Sequence, residues 1–216
     1  MHLRCRFWFC VSILALSNSA FAGTASFTGN FVNDNDLQDF IFTVSAPSTV
    51  TMLTWSFAGG TNAAGTLIPA GGFAPVLAVF DSTGTIVGNF DQGGTPPNNC
   101  GSRNQDPAGT GPCLDAFLSD SLGAGIYALV LSQQDNVPVG QTFSDGYQHD
   151  GEPNFSSGFN DFGLQRNSAW SVDIAGTDSA FELTSSPEPS TALALLAGIA
   201  WLAGMGRKRH SQRLNK

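Results

Sequence analysis

The chain has 216 residues, 12% of them charged, and a formal net charge of −8 at pH 7. Between residues 23 and 189 only Arg103 and Arg166 are basic, against all 17 acidic residues of the chain. Nucleic acid binding is therefore excluded for this central part, because phosphate contacts need clusters of Lys and Arg. Such an acidic surface favours solubility, divalent cations or a cationic partner.

The first 22 residues have the parts of a secretory signal peptide. Arg4 and Arg6 precede a compact apolar run over residues 7–16, and Ala20 and Ala22 have the small-residue spacing that signal peptidase requires. We predict removal of residues 1–22 by cleavage after Ala22. A short N-terminal anchor that stays in place is the alternative.

Residues 23–184 predict one exported all-β domain, because short apolar or alternating runs are separated by turn signals and no crossover helices are evident. In DFIFTV, for example, Phe40 and Phe42 fall on one face of a strand. The predicted strands cover residues 39–44, 50–57, 75–81, 85–90, 115–122, 125–132, 169–176 and 180–184. The pattern is typical of an antiparallel β-sandwich or a jelly-roll-like fold.

Two long connections interrupt these strands, over residues 58–74 and 136–168. Long loops without regular structure are often functional or disordered. The second contains several Phe and Tyr residues, so we predict an ordered, loop-rich cover on the sandwich.

The stretch NDNDLQD before the first predicted strand is a candidate calcium site. Asp34, Asn35, Asp36 and Asp39 could supply the several oxygen ligands that a hard cation needs. The spacing differs from that of an EF-hand loop. Solvated carboxylates that stabilise a turn are the alternative.

Two cysteines remain after signal removal, because Cys5 and Cys10 leave with it. Cys100 and Cys113 are a pair in an oxidising compartment, and we predict a disulfide between them. Metal ligation is the weaker interpretation, since the pair is not a CxxC motif.

Most catalytic arrangements are excluded for the exported part. His149 is its one histidine, HExxH is absent and there is no lysine, which leaves paired carboxylates of the glycosidase type as the main option. We predict a non-enzymatic protein with no catalytic residues. Trp55, Tyr127 and Trp170 are predicted to pack in strands, and Tyr147 is predicted to be the aromatic residue most free to contact a ligand.

Residues 185–216 form a three-part tail. Its parts are the tripeptide Pro187-Glu188-Pro189, an apolar run over residues 191–206, and a basic tail over 207–216 that begins with Arg207, Lys208 and Arg209. The apolar run spans about 24 Å as a helix, against a hydrocarbon core of about 30 Å. It is adequate for a transient membrane segment whose basic end stays in the cytoplasm.

This tail resembles the C-terminal sorting signal of bacterial PEP-CTERM proteins. The resemblance implies recognition by an exosortase, a membrane-embedded processing enzyme of Gram-negative bacteria that make extracellular polysaccharide. It further implies export across the inner membrane, transient anchoring, cleavage near residues 187–189, and delivery to the cell surface or extracellular matrix.

The central part is similar to secreted domains that are often joined to such tails and are related to the bacterial pre-peptidase C-terminal β-sandwich. The stretches that carry the similarity are FTGNFVNDNDLQDFIFTVSAPSTVTMLTWSFAGGTNAAG, PVLAVFDSTGTIVGNFD and LGAGIYALVLSQQDN. The resemblance implies a jelly-roll-like sandwich with an accessory or adhesive role, without established catalytic residues. Some related sandwiches bind calcium.

The sequence therefore predicts an exported, non-enzymatic surface or matrix protein that associates with exopolysaccharide or biofilm matrix. Two alternatives stay open. One is a secreted carboxylate-dependent glycosidase, and the other is a passive structural surface protein.

Overall fold

A computed structural model describes residues 23–88, 90–91, 114–161 and 163–183. The predicted signal peptide, the Cys100–Cys113 pair and the three-part tail lie outside these residues and stay predictions. Within the described ranges, no helix is long and apolar enough to cross a membrane.

Strands account for nearly all the regular structure of the described residues. They are β1 (Gly23–Asn30), β2 (Gln38–Val44), β3 (Ser48–Thr54), β4 (Gly60–Thr61), β5 (Leu67–Ile68), β6 (Pro75–Asp81), β7 (Phe117–Leu122), β8 (Gly125–Gln133), β9 (Asn160–Asp161), β10 (Leu164–Gln165), β11 (Ala169–Thr177) and β12 (Ser179–Glu182). A short 3₁₀-helix, Phe143–Asp145, lies between β8 and β9.

The eight long strands form two four-stranded antiparallel sheets. The first sheet has the order β1-β11-β3-β7, and the second has the order β12-β2-β8-β6. The short strands form two ribbons, β4–β5 and β9–β10. The predicted all-β antiparallel architecture is confirmed, and the arrangement is β-sandwich-like.

The main core lies between the two sheets. Alternation along β2 places Phe40 and Phe42 in this core, where they are fully buried with Met52 of β3 and Val172 of β11. Trp170 packs edge-to-face on Phe40 with ring centroids 5.7 Å apart. Apolar side chains from both sheets therefore hold the layers together.

A second apolar layer covers the outer face of the second sheet. Ile41, Phe80 and Val130 point outward from their strands and are buried beneath Phe143 and Tyr147. Phe143 meets Phe80 edge-to-face at 5.4 Å. Part of the long connection after β8 is thus the ordered cover that its aromatic content predicts.

The predicted strands differ from the structure in several places. Strand β3 ends at Thr54, so Trp55 follows the strand and does not lie within it. Residues 85–88 turn back along β6 as the predicted hairpin requires, with Val87 N–H donating to the carbonyl oxygen of Val79, but they make only isolated bridges. Gly88 has a φ of 72°, which interrupts the extended conformation, so no regular strand forms there. Conversely, β1 was not expected, because GTASFTGN contains a single large apolar residue, Phe27. As an edge strand paired with β11, β1 needs only that residue to reach the core.

The antiparallel order sends the long connections to one end of the sandwich. We call this the loop end, and it carries residues 31–37, 55–74 and most of residues 134–168. Residues 141–143 of the last connection instead reach the turn after β6 at the opposite end, where Phe143 N–H donates to the carbonyl oxygen of Gly84. Short turns join the strands at the opposite end, including residues 45–47 and 123–124. Strand β1 begins at the short-turn end, whereas β12 runs toward the loop end and finishes there.

Candidate binding surface at the loop end

Asp34 fixes one loop of this end against another. It is 1% exposed, and its carboxylate accepts hydrogen bonds from the backbone N–H groups of Phe155 (3.1 Å), Ser156 (2.8 Å) and Gly158 (3.3 Å). The Ser156 hydroxyl donates a further bond at 2.7 Å. Burial raises the pKa of Asp34, but these hydrogen bonds outweigh it and hold the pKa below its ordinary value.

Asp36 and Asn35 serve the same pair of loops. The Asp36 carboxylate accepts from the backbone N–H groups of Val32 (2.7 Å) and Asn33 (2.8 Å), within its own loop. Asn35 donates from its side chain to the carbonyl oxygen of His149 at 3.2 Å. The polar groups of both side chains are therefore used in hydrogen bonds that hold the loops in place.

Asp39 lies elsewhere, on the outer face of β2 beneath the cover. Its Oδ1 is buried and finds no hydrogen-bond partner within the described part of the chain, and the same holds for the hydroxyl of Tyr147. Burial raises the pKa of Asp39 to about 6. Among the described residues, no group of three or more His, Cys, Asp or Glu side chains could hold a metal ion, so the predicted calcium site gains no support.

Of the four aromatic residues that the sequence singles out, Tyr127 and Trp170 are buried in the main core as predicted. Trp55 is partly buried, and its indole N–H donates to Asp173 at 2.7 Å. The prediction for Tyr147 was wrong: it is 4% exposed. Its ring is part of the apolar layer over the second sheet, which is why it is not available to a ligand.

A different aromatic pair reaches the surface. The rings of His149 and Phe155 stack with centroids 3.9 Å apart and planes 6° apart, and both residues are partly exposed. His149 Nδ1 lies 2.9 Å from a carboxylate oxygen of Glu152, whose side chain is 65% exposed. Exposed Gln148 and Asn154 flank the pair. This surface was not predicted, since the only signal for it in the sequence is the close spacing of His149, Glu152 and Phe155.

Asp161 fixes the second half of the long connection. It is 3% exposed, and it accepts from the side chain of Gln133 (2.8 Å) and from the backbone N–H of Ala74 (2.7 Å). Burial raises the pKa of Asp161, and the hydrogen bonds and the nearby Arg166 charge offset only part of that effect. The end of β8 is thereby tied to the chain before β6.

Arg166 and Asp115 hold residues 55–74. The Arg166 guanidinium lies 3.7 Å from the centroid of the Phe57 ring and donates to the carbonyl oxygens of Phe57 (2.7 Å) and Gly72 (3.0 Å). Asp115 accepts from the backbone N–H groups of Ser56 (2.6 Å) and Ala58 (2.8 Å). Burial raises the pKa of Asp115, against the effect of these bonds. The loop end is therefore fixed by buried carboxylates before any ligand arrives.

This arrangement suits binding by ring contact and hydrogen bonding. The Ser156 hydroxyl bonds to Asp34, and His149 bonds to Glu152, so these described residues do not form a serine–histidine pair.

No protein-family model matches the chain, and no curated protein matches it.

Proposed function

We propose that this protein is an exported, non-enzymatic surface or matrix protein whose jelly-roll-like sandwich binds extracellular polysaccharide through its loop end. The observation that carries the proposal is the partly exposed His149–Phe155 stack, held between loops that Asp34 and Asp161 fix in place. Flat aromatic faces with a polar rim are suited to stacking on sugar rings and to hydrogen bonding with their hydroxyl groups.

In this proposal, the N-terminal and C-terminal segments of the chain direct the protein to the cell surface. Signal peptidase removes residues 1–22, and an exosortase recognises Pro187-Glu188-Pro189 while residues 191–206 are held in the inner membrane of a Gram-negative cell. The product reaches the cell surface or the biofilm matrix. A Cys100–Cys113 disulfide fits the oxidising compartment. Calcium is not required, because Asp34 and Asp36 already accept hydrogen bonds from the loops.

Charge narrows the class of polysaccharide. With two basic residues against 17 acidic ones between residues 23 and 189, the domain repels a polyanion at low salt. We infer that neutral polysaccharides and those with free amino groups bind better than uronic acid polymers.

Co-sedimentation of the purified protein with insoluble neutral, amino-bearing and uronic acid polysaccharides tests this proposal. Phe155→Ala is expected to weaken binding by up to about tenfold, since one aromatic stacking contact is worth up to about 1.5 kcal/mol. Phe181→Ala is the matched control, because Phe181 is a 40% exposed aromatic residue on β12.

Two results would contradict the proposal. Release of reducing sugar without stable binding favours the glycosidase alternative. Absence of both binding and release favours a passive structural protein.

A further inference from the structure

Strand β7 is the outer strand of the first sheet and pairs on one side only, with β3. The Thr54 N–H donates to the carbonyl oxygen of Ala116 at 3.1 Å, which fixes the residues whose backbone groups face β3. Because these groups alternate in direction along an antiparallel strand, Phe117, Ser119 and Ser121 direct their N–H and C=O groups away from β3. These three residues form the free edge of the sheet.

This edge is open along most of its length. Asp91 accepts a hydrogen bond from the Phe117 N–H at 2.6 Å. Within the described ranges, the outward backbone groups of Ser119 and Ser121 have no partner, and both residues are exposed. The outer strand β6 of the second sheet differs, because residues 85–91 lie along it and bond to it. An open edge of this kind is a template to which another strand can add.

The side chain of Asp120 points inward from this edge. Its neighbours Leu118 and Leu122 are buried in the main core, and alternation places Asp120 on the same face of the sheet. Asp120 Oδ2 is buried and has no hydrogen-bond partner in the part of the chain that the structure describes. A Cβ at Gly88 would lie 3.1 Å from Oδ1 and crowd the carboxylate. Asp120 as a whole is only partly buried, so the carboxylate keeps some contact with water.

The alternation along β7 limits how a second copy of the chain could add to it. In an antiparallel pair of β7 edges, Ser119 and Ser121 would exchange hydrogen bonds with the same two residues of the other copy. Inward residues would then pair with inward residues, at about 4.5 to 5.5 Å between Cβ atoms. Asp120 would lie opposite Leu118, Asp120 or Leu122 of the other copy. Each of these registers places the carboxylate against an apolar side chain or against a second carboxylate.

We propose that the β7 edge is a pairing surface for a second copy of this chain and that the inward carboxylate of Asp120 keeps this edge closed. In the free molecule the carboxylate keeps some water, whereas addition of a strand removes that water and supplies no donor. An unpaired buried charge, or two like charges directly opposite each other, opposes association. Without the charge, the first sheets of two molecules would join about a two-fold axis into one continuous sheet.

Sedimentation velocity of the purified protein over a range of concentrations tests this proposal. The wild type should stay monomeric, and hydrogen exchange should find the amides of Ser119 and Ser121 unprotected. Asp120→Val should form a dimer in which both amides become protected. Asp120→Asn keeps the shape and removes the charge, so the association constant should rise by about a hundredfold or more. This second variant decides the question if Asp120→Val fails to fold.

Two further variants separate edge pairing from a general loss of solubility. Ser121→Val adds an apolar side chain to the exposed face of β7 and keeps Asp120, so it should stay monomeric. Ser119→Pro, added to Asp120→Val, removes an edge N–H that β3 does not use, so it should restore the monomer. A folded but monomeric Asp120→Asn would overturn the proposal, as would dimers that persist in the variant with Ser119→Pro.

Discussion

Replacement of Asp39 by Asn is expected to stabilise the protein at neutral pH but not at acidic pH. The carboxyl group lies under an apolar layer with Oδ1 buried, and burial raises its pKa to about 6 from an ordinary value of 3.8. The folded state therefore binds the proton more tightly than the unfolded state does. Asn has nearly the same shape and does not ionise.

The sign and size follow from this pKa difference. In the wild type, burial of Asp39 does not lower the free energy of unfolding below about pH 4, where the carboxyl group is protonated. The free energy of unfolding falls as the pH rises toward about 6 and the group must ionise, and this loss remains above that pH. A shift of about two pKa units corresponds to about 3 kcal/mol. This is an upper bound, since Asp39 as a whole is only partly buried.

Urea unfolding followed by tryptophan fluorescence at about pH 4 and about pH 7.5 measures the effect as a change in the free energy of unfolding. The gain of Asp39→Asn over the wild type should be up to about 3 kcal/mol larger at the higher pH. Asp81→Asn is the control with the opposite sign. Burial raises the pKa of Asp81, but hydrogen bonds from Thr83 and Thr85 outweigh it and hold the pKa below its usual value. Equal differences at both pH values for Asp39→Asn would refute the reasoning.

Three further predictions concern the groups that fix the loops. Asp115→Ala should lower the free energy of unfolding by about 3 kcal/mol or more, because buried N–H groups at residues 56–58 lose their acceptor. Urea unfolding measures this change, and a loss below about 1 kcal/mol would contradict the prediction. Arg166→Lys should expose residues 55–74 to limited proteolysis, because a lysine cannot stack flat on Phe57 while donating to two carbonyls; cleavage no faster than in the wild type would contradict it. Addition of calcium or of a chelator should leave the Tm unchanged, since N–H and O–H donors already surround the Asp34 carboxylate. A Tm that rises with calcium and not with the chelator would support the calcium site that the sequence predicts.

Much of the fold follows from local patterns. Strand β6 has the predicted bounds, because PVLAVFD is a continuous apolar run bounded by Pro75 and the turn after Asp81. Strand β1 could not be predicted in this way, since its register is set by pairing with β11, far away in the chain. A polar edge strand carries little signal of its own.

The site was predictable only in part. The sequence identifies Asp34 as a carboxylate in a turn but cannot say what it binds, because its donors lie more than 120 positions away at residues 155–158. A carboxylate that meets N–H groups and one that meets a cation look alike in sequence. The same limit applies to Tyr147, whose burial depends on the sheet beneath it.

The direction of β12 determines which end of the sandwich lies nearest to the C-terminal tail. The chain leaves the sandwich there at Leu183, and seven residues separate it from the predicted membrane segment that starts at residue 191. At about 3.3 to 3.6 Å per residue, this tether reaches at most about 25 Å. Under the sorting that we propose, a protein still held by its tail would have its loop end within about 25 Å of the bilayer. Cleavage of the tail would then make the loop end accessible to polysaccharide as well as release the protein.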